Sequence, residues 1–298
     1  MSNTVYKLEK QPTYKRQQFL LALIQRIGER LTATELQKIV FLYTKNSGTV
    51  YYDFVPYKYG PYSFQLAQDI EVMSKDGYLT AYNELAEPKK YVPVIAIDDI
   101  AIEKWRSNAL VREAYKRYPY YAIRSEIAGK VLDNAALQAV QDVNRELSKN
   151  TQKLFSIGYE GKSVENFLNI LLQNGIRLLC DVRKNPLSRK FGFSKNKLQH
   201  VSKSVGISYT HIPELGIESS ERQVLETRED YAALFSEYRE SLSFRAVALQ
   251  QVYALFQSNA RVALMCYEQA PSCCHRTIIK EYLVENYHVK SEDLTNGT

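Results

Sequence analysis

The sequence predicts a C-terminal α/β domain, with a mostly parallel sheet and helices on both of its faces, behind a smaller α+β domain and a helical connector. The main observation is a change of pattern at Leu154, after which short apolar runs alternate with segments of helical periodicity. Before that residue helical periodicity prevails, and the polar stretch 148–153 separates the two patterns. We therefore expect an N-terminal domain over residues 1–97, a connector over 98–150 and an α/β domain over 151–298.

Two helices are predicted at the start of the N-terminal domain. Apolar residues recur at helical spacing from Gln17, and the pattern ends between Gly28 and Leu31. Thr32 or Thr34 is suited to cap a second helix, which stops before Gly48.

An extended segment and a third helix follow. Residues 51–59 alternate loosely, and Gly60-Pro61 predicts a turn with Pro61 in the first turn of a helix that closes at Gly77. Short strands are predicted at 78–79 and 91–94, around a polar tip at 83–90. Three short helices followed by a hairpin are the order of a winged-helix domain. The alternative is a small α+β module that binds a protein partner.

The remaining elements are predicted from the same patterns. The connector is expected to form helices over residues 98–117, 121–132 and 135–147. The α/β domain is expected to form strands over residues 154–158, 176–182, 207–212 and 262–267. Its helices are expected over residues 164–174, 194–206, 231–238, 244–256 and 275–286.

Polar side chains stand at the carboxyl end of each predicted strand of the α/β domain. They are Tyr159 and Glu160, Asp181 and Arg183, His211 and Glu214, and Tyr267 and Glu268. Ligands of open α/β sheets bind outside this edge, so one shared site is predicted there.

The catalytic candidates are the groups at this edge that transfer protons or stabilise charge. They are Asp181, Glu268, Glu160, Tyr159 and His211. For Asp181 the alternative is an ion pair with Arg183 that holds its own loop. For His211 the alternative is a hydrogen-bonded core histidine.

The loop after the second strand is basic, with six Lys or Arg and no Asp or Glu between Arg183 and Lys197. A guanidinium presents a planar fork to phosphate, and the N–H groups that open the last helix add a further anion site. The predicted phosphate-binding residues are Arg183, Arg189, Lys190, His275 and Arg276. For Arg276 the alternative is a salt bridge to Glu268 or Asp181.

Composition restricts the classes of protein that are possible. The net charge of +6 is a mild bias toward polyanionic partners. No run of eighteen apolar residues is present and the N-terminus lacks the apolar core of a signal peptide, so we expect no membrane span and a cytoplasmic protein. Four cysteines do not make a disulfide framework in a chain of 298 residues, which favours a reducing compartment.

The cysteines allow two further interpretations. Cys266, with Cys273 or Cys274 and His275, could bind a metal, but the spacing lacks the paired Cys-x2-Cys pattern of structural zinc sites. Cys180 or Cys274 could act as a nucleophile, Cys274 with a pKa lowered at a helix N-terminus. We expect instead that Cys180 and Cys266 are small buried residues, and predict neither metal nor cofactor.

Four motifs occur in an order that resembles a known family. They are Gly158-Tyr159-Glu160-Gly161, Cys180-Asp181-Val182-Arg183, His211-Ile212-Pro213-Glu214, and Cys266 with Cys274-His275-Arg276. Residues 153–285 thereby resemble the domain of unknown function DUF488, which implies the α/β fold and a site at the strand ends but no reaction. Residues 36–38, 52–62 and 118–123 resemble the winged-helix module that often precedes this domain.

The leading hypothesis is a protein that binds nucleic acid, DNA in particular, and hydrolyses it. Cleavage of the N-glycosidic bond of a base, in genome maintenance or defence against foreign DNA, suits carboxylates, arginines and aromatic faces without a metal. Tyr159, Phe193 and Tyr267 are the predicted faces. The alternative is a non-enzymatic winged-helix regulator whose α/β domain senses a nucleotide or small anion. A thiol or metal-dependent enzyme is a third hypothesis.

Overall fold

Buried apolar side chains form separate cores in the two parts of the chain. The computed structural model describes residues 11–81, 83, 84, 86, 94–98, 106–218, 221 and 227–294. The chain divides into two compact units, residues 1–141 and 142–298, and one core lies in each unit. A separate connector over residues 98–150 stays a prediction.

The first two helices begin and end at signals in their own sequence. Helix α1 (Lys15–Ile27) ends at Gly28, whose φ of 66° is left-handed, and α2 (Ala33–Ser47) ends at Gly48 in the same way. Thr32 caps α2 through its hydroxyl, which accepts from the Glu35 N–H, while the Glu35 carboxylate accepts from the Thr32 N–H. Both predicted helices are confirmed, with Thr32 as the cap.

The turn predicted at Gly60-Pro61 is wrong, because both residues belong to the second strand of a hairpin. Strands β1 (Val55–Tyr57) and β2 (Gly60–Tyr62) pair antiparallel, and the reversal lies at residues 58–59. A Cβ on Gly60 would lie 2.2 Å from a ring carbon of Tyr115, so this residue must be glycine for the backbone to approach that ring. Helix α3 (Phe64–Lys75) begins after β2, and Ser63 caps it.

The predicted wing lies largely outside the described residues. Leu79 forms a single bridge, and residues 82, 85 and 87–93 are not among those described. The winged-helix-like order of the N-terminal domain therefore stays a prediction.

Three helices close the N-terminal unit, and one prediction for them is wrong. The structure has α4 (Ser107–Arg117), a short α5 (Ala128–Val131) and α6 (Asn134–Leu147), with residues 99–105 outside the described part. Residues 121–132 do not form the single predicted helix, because a 3-10 turn occupies Pro119–Ala122. The Ser125 hydroxyl then accepts the N–H of Ile127, a local bond that replaces a helical one.

A five-stranded, fully parallel sheet is the centre of the C-terminal unit. Its strands are β3 (Lys153–Gly158), β4 (Leu178–Asp181), β5 (Ser208–His211), β6 (Arg261–Cys266) and β7 (Ser291–Leu294). They lie in the order β5-β4-β6-β3-β7. The predicted α/β class of the C-terminal domain is confirmed, and the edge strand β7 is an additional strand that was not predicted.

Helices cover the sheet, and both of its faces are buried. The helices are α7 (Val164–Gln173), α8 (Lys195–Ser204), α9 (Arg228–Ser241), α10 (Ala246–Ser258) and α11 (Arg276–Tyr287). Leu154, Cys180 and Leu264 form one core with residues of α9, α10 and α11. The alternate strand residues Phe155 and Leu179 are also fully buried, as expected for a parallel sheet.

The direction in which the chain moves across the sheet differs between the neighbouring strands β4 and β6. The chain leaves β4 for β5 on one side and leaves β6 for β7 on the other. In open α/β sheets the ligand crevice lies at such a point, here outside the carboxyl ends of β4 and β6. Gly158, at the end of β3, closely approaches the loop after β6: a Cβ there would lie 1.7 Å from the Glu268 carbonyl oxygen. Among the helices described, none has the length and apolar character needed to cross a bilayer.

Candidate functional site

A buried ion pair ends the central strand β4. Asp181 accepts hydrogen bonds from Arg183 at Nε (2.8 Å) and Nη2 (2.6 Å), one to each carboxylate oxygen. The Arg183 backbone N–H and the Tyr209 hydroxyl also donate to this carboxylate, at 3.1 and 2.7 Å. The Asp181 side chain has no solvent exposure. All of its hydrogen bonds hold the loop after β4 and strand β5, so the structure gives Asp181 an organising position.

The electrostatics of this pair favour the charged guanidinium. Burial by itself lowers the pKa of Arg183, but the Asp181 carboxylate, and then Tyr159, outweigh burial and raise it. Burial, followed by the charge of Asp181, raises the pKa of the Tyr209 hydroxyl. Tyr209 therefore stays a neutral donor toward Asp181.

Three aromatic rings meet beside Arg183. Its Nη1 donates to the Tyr159 hydroxyl at 3.0 Å, and the Tyr159 ring stacks on Phe193 at 4.2 Å and meets Tyr267 edge-on at 5.2 Å. Phe193 is fully buried and Tyr159 nearly so, whereas Tyr267 is 46% exposed. Of the three predicted faces, only Tyr267 can present a ring to a ligand without rearrangement.

The basic loop after β4 combines fixed and free cations. Lys190 donates to the Tyr159 carbonyl at 3.3 Å. Arg189 is exposed, and within the described residues its guanidinium has no hydrogen-bond or ion-pair partner. The loop therefore carries a positive charge that is free to contact an anion.

His211 is held by two partners at the end of β5. Its Nε2 lies 2.8 Å from the Arg183 carbonyl oxygen, so this nitrogen carries the proton. Its Nδ1 then accepts from the Lys195 ammonium, 3.2 Å away. The ring therefore bridges the basic loop and the end of β5.

Lys162 is a further cation of the site, and it is not among the predicted site residues. It is only 3% exposed, and in the described part of the chain its ammonium group has no hydrogen-bond or ion-pair partner. Burial, then the charges of Arg276 and Lys190, lower the pKa of Lys162, while Glu160 opposes them. Its place directly after Gly161 in a strand-to-helix loop is the only local signal for it.

Arg276 has neutral hydrogen-bond partners. Its guanidinium donates to the carbonyls of Glu268 (2.6 Å) and Gln269 (3.1 Å) and to the Ser156 hydroxyl (3.2 Å). The alternative interpretation of Arg276, a salt bridge to the carboxylate of Glu268 or of Asp181, does not hold, because its guanidinium contacts two carbonyls and a hydroxyl. Ser156 in turn donates to Asp293 on β7, so Arg276 ties the loop after β6 to the sheet.

The other acidic candidates occupy different surroundings. Glu160 accepts the Gln269 N–H at 2.9 Å, next to the cations Lys162 and Lys190. One carboxylate oxygen of Glu268 is 3.3 Å from the Cys266 sulfur. Glu214 is exposed and lines a surface cleft with Arg245 and Phe244.

The side chains of two cysteines and one histidine lie close together at the two ends of the loop after β6. His275 Nδ1 lies 3.8 Å from Cys266 Sγ and 3.9 Å from Cys274 Sγ, and its Nε2 lies 3.1 Å from the Val182 carbonyl oxygen. Cys273 is outside this cluster. The expectation that Cys274 has a lowered pKa is wrong, because helix α11 begins only at Arg276 and burial raises the pKa of this thiol. Burial also raises the pKa of Cys180, which leaves both thiols poor nucleophiles.

Comparison with known proteins gives one match. The family model for the domain of unknown function DUF488 matches residues 163–283, a range that contains Asp181, Arg183, His211 and the Cys266–His275 cluster but does not reach the N-terminal unit. No curated protein and no solved structure matches the chain. The C-terminal unit thus contains a DUF488 domain over residues 163–283.

Proposed function

We propose that the C-terminal unit binds the phosphate backbone of nucleic acid at the crevice between β4 and β6 and hydrolyses an N-glycosidic bond there. The observation that carries this proposal is Lys162, whose nearly buried side chain has no hydrogen-bond or ion-pair partner in the described part of the chain. Two further cations and one carboxylate, that of Glu160, act on its ammonium group. A buried charge is costly unless it is paired. A bound phosphate would supply the missing anion.

The balance of charge at the crevice supports an anionic ligand. Asp181 neutralises Arg183, and the charge of Glu160 acts on both Lys162 and Lys190. The charge of Arg276 acts on Asp293. Burial lowers the pKa of Lys190, whereas burial and then the charges of Arg276 and Lys190 lower the pKa of Lys162. Repulsion between cations therefore acts on Lys162. A dianion or a chain of phosphates relieves this repulsion.

The surrounding loop favours a polymer over a single small anion. Exposed Arg189 extends the positive charge beyond the crevice, and the net charge of the chain is +6. Backbone phosphates of a nucleic acid can contact this loop while one nucleotide enters the crevice. The half-exposed ring of Tyr267 offers a stacking face for a base.

Glu160 is the carboxylate best placed for the chemistry. Lys162 and Lys190 lie near it, and it is not engaged in an ion pair as Asp181 is. In the proposed reaction Glu160 takes a proton from water, the water oxygen bonds to the sugar carbon, and the carbon–nitrogen bond breaks. The base leaves with a proton, for which Glu268 is the candidate donor.

Binding is tested by fluorescence anisotropy with labelled DNA at several salt concentrations. Each lost phosphate contact should lower the slope of log K against log salt by about 0.9. We expect this for Lys162→Met, and roughly twice the change for the double variant Arg189→Ala/Lys190→Ala. Lys149→Ala is the matched control, because Lys149 is exposed and precedes the amino end of β3. Absence of binding at low salt would refute the nucleic-acid proposal.

Hydrolysis is tested by incubating the protein with modified and unmodified DNA and then with alkali, which cleaves abasic sites. Glu160→Gln should lower the rate about a hundredfold or more while affinity stays within a few-fold. An unchanged rate would remove Glu160 from the mechanism, and DNA that remains intact with every modification would exclude glycosidic cleavage.

A second candidate is a non-enzymatic regulator that senses a nucleotide or small anion. The engagement of Asp181 favours it, because the most buried carboxylate of the site serves structure. Saturable binding of a free nucleotide without any cleavage would support this candidate.

A further inference from the structure

Cys266, Cys274 and His275 have the arrangement of a metal site. Their ligand atoms lie within 4.8 Å of one another, and all three side chains are buried. We propose that these residues bind a thiophilic metal ion of the zinc class. This goes beyond the proposed function and does not depend on it.

The hydrogen bond of His275 to the sheet orients the ring for a ligand. A carbonyl oxygen only accepts, so the Nε2 that contacts the Val182 oxygen at 3.1 Å must carry the proton. Nδ1, which lies 3.8 and 3.9 Å from the two thiol sulfurs, is then the unprotonated nitrogen of the ring. Histidine ligands of metals typically donate their second nitrogen to a backbone carbonyl or a carboxylate in this way.

The distances suit tetrahedral coordination. With a zinc–sulfur bond of about 2.3 Å and a zinc–nitrogen bond of about 2.0 Å, sulfur and nitrogen should be about 3.5 Å apart. The observed separations of 3.8 and 3.9 Å exceed this by a few tenths of an ångström, which small side-chain rotations can close. Both cysteines are free thiols, as ligation requires.

Glu268 lies beside the group formed by Cys266, Cys274 and His275, but its carboxylate is not among the ligand atoms that lie within 4.8 Å of one another. One of its carboxylate oxygens lies 3.3 Å from Cys266 Sγ. Binding would release the two thiol protons to solvent, and the two thiolates would balance the charge of a divalent ion. The ion would then link the end of β6 to the start of α11 and fix the loop that carries Tyr267 and Glu268.

The competing explanation is a hydrogen-bonded cluster without metal. In it the Cys266 thiol donates to Glu268 and the Cys274 thiol donates to His275 Nδ1, as the distances of 3.3 and 3.9 Å allow. Both explanations predict a buried, ordered cluster, so only a measurement of metal binding separates them.

The full-length protein, stripped with a chelator and reconstituted with Zn²⁺, is analysed for metal after removal of excess ion. We expect about one zinc per chain in the parent protein and a loss of at least tenfold in occupancy in Cys274→Ser and His275→Gln. Cys273→Ser is the matched control, since this part-exposed neighbour lies outside the cluster and should leave occupancy unchanged. Circular dichroism verifies that each variant is folded.

Titration of the metal-free parent protein with Co²⁺ tests the proposal without any variant, and so it does not depend on whether a variant folds. Thiolate-to-cobalt charge-transfer bands and the visible bands of a tetrahedral site, saturating at about one ion per chain, would support it. A parent protein without these bands and without zinc would overturn it. Equal zinc in Cys274→Ser and the parent would also overturn it, because the ion would then be held elsewhere.

Discussion

Replacing Asp181 with Asn should destabilise the C-terminal unit by about 3–5 kcal/mol, the usual cost of removing one partner of a buried ion pair. The Asp181 carboxylate accepts from the Arg183 side chain at 2.8 and 2.6 Å and from the Tyr209 hydroxyl at 2.7 Å. Asparagine keeps one acceptor oxygen and replaces the other with a donor. Arg183 would then retain a buried charge with no counter-charge beside it.

This loss is large enough to measure by two methods. Urea denaturation followed by circular dichroism gives the free energy, and a domain of this size should lose roughly 6–20 °C in melting temperature. Hydrogen exchange of the amides in β4 and β6 assigns the effect to the C-terminal unit. The double variant Asp181→Asn/Arg183→Met should recover part of the stability, because it removes the unpaired charge.

Asp142→Asn is the control for the same chemical change at an exposed ion pair. The side chains of Arg145 and Asp142 are 74% and 48% exposed, so this variant should change stability by less than about 1 kcal/mol. If Asp181→Asn cost no more than this control, the buried pair would not organise the loop after β4. The interpretation of Asp181 as a structural anchor would then be wrong.

Three further predictions follow from packing and charge. Gly158→Ala should cost about 1–3 kcal/mol in urea denaturation because its Cβ meets the Glu268 carbonyl, whereas Gly129→Ala, in open space, should not destabilise. Burial lowers the pKa of Lys38 to about 7 from 10.5, so across that range the unfolded chain binds more protons. The free energy of unfolding should therefore rise with pH between about 7 and 10.5. Lys38→Met should flatten this rise, measured as the urea midpoint at each pH. Tyr159→Phe should cost about 1–3 kcal/mol, since Arg183 Nη1 loses its acceptor.

Helix boundaries could be predicted from the sequence because their causes are local. The cap of α2 depends on Thr32 and Glu35, and its end depends on Gly48. The hairpin at Gly60 could not be predicted in the same way. Its position depends on the ring of Tyr115, a residue far along the chain that fills the space beside the glycine.

The sequence by itself determined the alternation of strands and helices after Leu154, and with it the α/β class and the placing of polar residues at the strand ends. This follows because side-chain periodicity reports local geometry, and parallel strands bring their carboxyl ends to one edge. Only the tertiary structure decided which of those residues meet. The order of the strands makes Asp181 a buried anchor, places Lys162 near Glu160 and two other cations, and brings Cys266, Cys274 and His275 together. Strand order depends on packing between distant segments, which periodicity along the chain does not encode.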